Sequence, residues 1–162
     1  IFYILILLIS LFLLNIFNHL YLGDSGSYLL GFSFAIFLIS IYNWNENISP
    51  FFIILLLWYP CFENLFSILR KNILNKSPMH PDAKHIHQLI YHVIKKKYKL
   101  KIFTSNILTA QIINFYNLII FMISLNFISE SQIQILLIMF NVIFYIFVYF
   151  KGFIFRYRKI LN

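Results

Sequence analysis

Two short polar stretches interrupt an otherwise apolar sequence, and both carry side chains suited to phosphate or metal chemistry. The first is Gly23-Asp24-Ser25-Gly26-Ser27 and the second is Lys84-His85-Ile86-His87. Asp24 is a hard oxygen ligand. Mg²⁺ takes one or two protein carboxylates together with phosphate oxygens and water, so a single aspartate suits it. Gly23 and Gly26 let the backbone turn tightly and approach a ligand. A helix starting just beyond would add free N–H groups and partial positive charge, which favour phosphate. The plainer reading is a reversal between two helices with Asp24 as a cap, and the spacing leaves both open.

The five histidines are His19, His80, His85, His87 and His92. His85 and His87, two residues apart, point to nearly opposite sides of a helix that starts at Asp82, and they converge only in extended backbone. No cysteine or second acidic cluster completes a zinc set. Hydrogen bonding to a phosphate or a nucleotide fits these rings better. Glu63 and Arg70 lie seven residues apart, on roughly one helix face. They read either as an internal ion pair or as part of a site.

The elements that must position these groups follow from composition. The 162 residues are 61% hydrophobic and 11% charged, with a mean hydropathy of +0.82. Soluble domains are about half apolar and about a quarter charged. The chain therefore reads as an integral membrane protein, all-α, with a lipid bilayer as its solvent. Five apolar runs approach the roughly 20 residues that span a bilayer. They are Ile1 to Phe17, Tyr28 to Tyr42, Phe51 to Leu69, Ile107 to Phe127 and Ile133 to Phe150. The second is short unless the GDSGS residues join it. Pro60 should kink the third. The runs do not alternate as barrel strands would, and an open strand in lipid leaves its backbone unpaired. The expectation is a polytopic bundle of about five transmembrane helices forming a single membrane domain.

All 13 Lys and Arg residues fall in two places: nine between Arg70 and Lys101, and four after Phe150. The loops 43–50 and 128–132 hold only Glu46 and Glu130. By the positive-inside rule both basic regions are cytoplasmic, and Asp24 falls on that side too. The formal charge of +8 then faces anionic headgroups and anionic solutes. Within the cytoplasmic loop of about 70–104, Asp82 after Pro81 reads as a helix N-cap. Ile86, Leu89, Ile90, Val93 and Ile94 follow helical spacing, as in an amphipathic helix lying in the interface. One cysteine, Cys61, excludes an intrachain disulfide. The chain begins at Ile1, inside an apolar run, and reads as a piece of something longer.

The two polar stretches, in this order with apolar spans between them, resemble motifs of the polyprenyl-phosphate N-acetylhexosamine-1-phosphate transferases. "GDSGSYLLGF" resembles that family's GDxGS-type motif. "SPMHPDAKHIHQLI" resembles the cytoplasmic HxH-type loop of its GlcNAc-1-phosphate branch. The stretch from Pro60 and Glu63 to Arg70 resembles the segment leading into that loop. There are departures: Gln88 stands where relatives commonly have another His, and Ala83 where a basic residue is expected. The family's acidic-pair and Asn/Asp-rich motifs lie earlier and are not present. The chain thus resembles a C-terminal half, and residues 1–162 alone are expected to be inactive.

The resemblance implies a glycosyltransferase family 4-type enzyme of the plasma (inner) membrane. It would transfer N-acetylhexosamine-1-phosphate from a UDP-sugar to polyprenyl (undecaprenyl) phosphate and release UMP. The product would serve cell-envelope polysaccharide such as wall polymer or lipopolysaccharide. Asp24 would hold Mg²⁺, with Mn²⁺ as the alternative, beside Ser25 and Gly26. His85 and His87 would contact the nucleotide diphosphate, and Arg70 and Lys84 other phosphate oxygens. No nucleic-acid partner is implied. Two other readings stay open: a small membrane transporter or cation-binding protein using Asp24, Glu63 and the histidines, and an inactive remnant of such an enzyme.

Overall fold

A chain this apolar has to close its backbone hydrogen bonds within each segment, and helices do so. The computed structural model describes residues 2–17, 19–45, 47–75, 77 and 84–161, with the backbone alone for 158–161. Every regular element among them is a helix. The chain divides into two compact units, Ile1–Glu46 and Asn47–Asn162.

The first unit holds α1 (Phe2–Ile16) and α2 (Gly23–Trp44). With 15 residues, α1 rises about 22 Å, short of the hydrocarbon thickness. With 22 residues, α2 rises about 33 Å and is long and apolar enough to cross. The GDSGS residues do join the second apolar run. The expected turn over Gly23 to Ser27 contracts to one residue: Gly23 has φ +65°, and the residues after it are already helical.

The second unit holds α3 (Pro50–Leu56), α4 (Trp58–Ile73), α5 (Ile86–Tyr98), α6 (Ile102–Leu125) and α7 (Ser131–Leu161). Ser49 caps α3 by accepting from the Phe51 N–H at 3.2 Å, and Pro50 takes the first helical position. The Ser49 N–H also donates to the Ile128 carbonyl at 2.9 Å, and its hydroxyl meets that of Ser131 at 2.9 Å. The start of α3 is thereby fixed to the turn between α6 and α7.

The third apolar run is not one kinked helix. It breaks at Leu57, and α3 and α4 differ in direction by 71°. Pro60 is the physical reason. It has no N–H to give the Leu56 carbonyl, and its ring crowds that carbonyl. Placing Pro60 in the first turn of α4 removes both problems, because N–H groups there have no intrahelical partner anyway. Among the described residues three helices, α2, α6 and α7, are long and apolar enough to cross a membrane, and α3–α4 makes a fourth if the bent pair is one span. Together with the short α1 they account for the five apolar runs of this membrane protein.

Apolar burial alone does not hold helices together in lipid, since the tails are as apolar as leucine. Polar contacts do part of that work. The fully buried Gln134 donates to the Ser124 and Phe127 carbonyls at 3.0 and 2.7 Å, and it accepts from the Ser124 hydroxyl at 2.6 Å. The Trp58 indole N–H donates to Asn117 at 3.0 Å, and Tyr116 donates to the buried Asn141. Around them Leu55, Trp58, Ile86, Leu89, Ile120, Tyr145 and Tyr149 form one core.

Helix α5 starts at Ile86, later than the expected cap at Asp82, which lies outside the described residues. Its N-cap is His85. Its apolar face, with Ile86, Leu89 and Ile94 buried, packs on α6 and α7 rather than lying on lipid. Leu89 has no exposed surface and sits against Gly152 of α7, where an added Cβ would come within 3.0 Å of the Leu89 Cβ. Lys99 closes the helix in the left-handed conformation, φ 51°.

Candidate functional site

Helix α4 carries a polar row on an apolar background. Glu63, Ser67 and Lys71 recur every four residues, so they share one face, and all three are buried. Glu63 is the centre of the network. One carboxylate oxygen lies 2.9 Å from His85 Nδ1 and 3.1 Å from the Ile86 N–H, and the other accepts from the Tyr145 hydroxyl at 2.6 Å. The carboxylate thus binds α4 to the start of α5 and to α7. It also places negative charge at the N-terminus of α5, where the first N–H groups need acceptors.

Of the two readings of Glu63 and Arg70, the ion pair between them does not form. The two charges have separate partners instead. Arg70 donates to the Lys84 carbonyl at 2.8 Å, to the Tyr149 hydroxyl at 3.0 Å and to the Ser67 hydroxyl at 3.3 Å, and it lies over the Phe66 and Tyr149 rings. A planar five-donor group is well suited to such bracing. Arg70 therefore fixes the segment leading to His85 against α4 and α7. The Lys84 ammonium lies 5.8 Å from the ring centres of Phe153 and Tyr157.

His85 and His87 do converge. With His85 extended at φ −72° and ψ 149°, their rings stack at 5.6 Å between centres and 16° between planes. The opposite-face expectation assumed a helix already formed at His85. Burial holds the His87 imidazole below the ordinary histidine value. Glu63 opposes that effect and His85 adds to it. Gln88, the departure from the resembled motif, has a structural part: its Oε1 accepts from the His85 backbone N–H at 3.3 Å, as a glutamine does in a capping box. Ala83, the other departure, lies outside the described residues.

Both basic regions reach this end of the second unit. Lys96 lies over Phe155, and Arg156 is near enough to His92 to depress its proton affinity, after burial and ahead of Lys96 and Lys95. Among the described residues, parts of the two basic blocks are thus brought together by the packing of α5 on α7.

Asp24, Ser25 and Gly26 occupy the first turn of α2 in the other unit. Asp24 is exposed, and no side chain caps this helix. The Ser27 hydroxyl bonds back to the Gly23 and Asp24 carbonyls at 2.7 and 3.0 Å. Among the described residues no three His, Cys, Asp or Glu side chains gather as a metal cage. Asp24 is a single hard ligand, and it fits a Mg²⁺ ion whose other positions are filled by phosphate and water.

Sequence reasoning missed Tyr145 and Tyr149, which orient Glu63 and Arg70. Their signal was present. Gln134, Asn141, Tyr145 and Tyr149 fall at intervals of seven, four and four, one polar face on a helix otherwise built for lipid.

No family model and no solved structure matches the chain. Two curated relatives do. An undecaprenyl-phosphate alpha-N-acetylglucosaminyl 1-phosphate transferase of Thermotoga maritima is 32% identical over 85 residues, 52% of this chain. A probable undecaprenyl-phosphate N-acetylglucosaminyl 1-phosphate transferase of Bacillus subtilis is 40% identical over 70 residues, 42% of this chain. The matches span only 28% and 19% of the relatives' own lengths. Both names fall in the family reached from the motifs, and they support that resemblance.

Proposed function

We propose that this chain is part of a membrane enzyme that transfers N-acetylglucosamine-1-phosphate from a UDP-sugar to undecaprenyl phosphate, releasing UMP, at the cytoplasmic face of the plasma membrane. The observation that carries this reading is the pair of motifs at Gly23–Ser27 and His85–His87, in order, in a chain similar to two relatives of that name. The product would feed cell-envelope polysaccharide synthesis.

The reaction brings two anions together, so it depends on positioning and charge neutralisation. Asp24, exposed at an uncapped helix start, is the residue to hold Mg²⁺. When bound, the ion would neutralise the diphosphate and stabilise the leaving nucleotide. The N–H groups of Ser25 and Gly26 are suited to a phosphate oxygen. His85, extended ahead of α5, and His87 beside it would hydrogen-bond the nucleotide diphosphate. Lys84 would add charge, while Arg70 is engaged in holding the His85 segment in place.

The test is a fusion of the N-terminal part of the Thermotoga maritima relative to this chain, assayed in bilayers with UDP-GlcNAc and undecaprenyl phosphate. UMP release that requires both substrates and Mg²⁺ is expected. A folded fusion that releases no UMP would refute the reading.

A further inference from the structure

Glu63 is buried and stands outside the two motifs, yet it makes the contacts that decide how His85 is presented. We propose that Glu63 is a positioning residue that holds a proton on His85 Nδ1, so that Nε2 is the nitrogen through which the ring exchanges protons and meets a phosphate.

The geometry fixes the argument. An ionised carboxylate only accepts hydrogen bonds. Glu63 Oε1 already accepts from the Ile86 N–H at 3.1 Å, and an oxygen in that role accepts from Nδ1 at 2.9 Å as well, so a neutral ring would hold its single proton on Nδ1 and its lone pair on Nε2. The carboxylate itself has little freedom. The Ile86 N–H holds the same oxygen at 3.1 Å, and Tyr145 holds the other at 2.6 Å. The backbone is set as well, because Gln88 accepts from the His85 N–H and Arg70 holds the Lys84 carbonyl just before it. Ring and backbone are therefore both oriented before any ligand arrives. The His87 ring stacks on it at 5.6 Å between centres, which further restricts how the His85 ring can turn. This role rests on the transferase reading for its purpose, but the tautomer does not.

The experiment reads the tautomer directly on the 162-residue chain in bilayers. Histidine is labelled with ¹⁵N, and His85 is assigned by its loss in His85→Gln. At alkaline pH the expected signal is a protonated Nδ1 and an unprotonated Nε2. Glu63→Leu should lose that preference and turn His85 mainly to the Nε2–H form. Tyr145→Phe keeps the Glu63–His85 contact and should keep the tautomer. It is the control for a variant that merely loosens the packing. In the fusion, Glu63→Leu should lower kcat about tenfold or more, as for loss of a positioned proton donor. Glu63→Gln, whose amide oxygen can still accept from Nδ1–H, should recover part of it. A parent chain with His85 mainly in the Nε2–H form, or a tautomer unchanged in Glu63→Leu, would overturn the proposal. An inactive parent fusion would count against the transferase reading alone, since the tautomer is read without substrate.

Discussion

Helix α1 buries none of its 15 residues and α2 buries only Leu38, whereas the helices from Pro50 onward share a core with buried Gln134, Asn141, Ser105, Ser124 and Glu63 inside it. Both regions are apolar, so hydrophobicity is not what separates them. In water it would drive both together. In a bilayer an apolar side chain is as well solvated by lipid as by protein, and the contacts that choose a partner are polar bonds and close backbone approach. The second unit has both, in the Gln134 cluster and at Gly152. The first has a row of lipid-suited side chains and one exposed carboxylate at a helix start.

Matched truncations should separate the two regions most sharply. Leu89→Ala should cost about 2–5 kcal/mol, because it opens a cavity where α5, α6 and α7 meet. Leu29→Ala, exposed on α2, should stay within about 0.5 kcal/mol. Denaturant unfolding of both variants in one detergent gives the comparison, and equal losses would erase the distinction between units. Gly152→Ala is next. A Cβ meeting Leu89 at 3.0 Å forces α5 away from α7, at about 1–3 kcal/mol by the same measurement. Gln134→Ala should cost about 1 kcal/mol, the scale of polar contacts between membrane helices.

The smallest effect is a pH dependence. Burial lowers the proton affinity of His87 in the folded chain, so the unfolded chain binds more protons just below the ordinary value of 6.5. Stability should therefore rise with pH through that window and level off above it. His87→Gln should flatten that part of an unfolding series across pH. A slope unchanged by the substitution would mean that His87 is not the group responsible.

Much of this was legible beforehand. The apolar runs gave the helices, and parts of the two Lys and Arg blocks meet at one end of the second unit. GDSGS was correctly seen to be needed by the second helix. The rest depended on where helices start and stop. Counting α5 from Asp82 sent His85 and His87 apart, but an extended His85 at the cap brings them together. Reading 51–69 as one helix placed a bend at Pro60, while the chain avoids the proline by breaking at Leu57. The seven-residue spacing of Glu63 and Arg70 left an ion pair and a shared site both open. Each charge found a tyrosine on α7 instead, 82 and 79 residues along the chain, and no local pattern carries such a contact.

The central claim is that Asp24 does chemistry rather than cap a helix, and one pair of variants in the fusion tests it most directly. Asp24→Asn keeps the shape and removes the charge. Ser25→Ala removes a hydroxyl that does not cap the helix and cannot supply a full charge. With folded protein verified in each case, the account predicts that Mg²⁺-dependent UMP release falls about a hundredfold or more in Asp24→Asn, as expected when metal charge neutralisation worth several kcal/mol is lost. In Ser25→Ala it should fall by no more than about fivefold, the scale of one ordinary hydrogen bond. Near-normal UMP release by Asp24→Asn would contradict the account, leaving Asp24 as an ordinary helix start and the metal to be held by other residues.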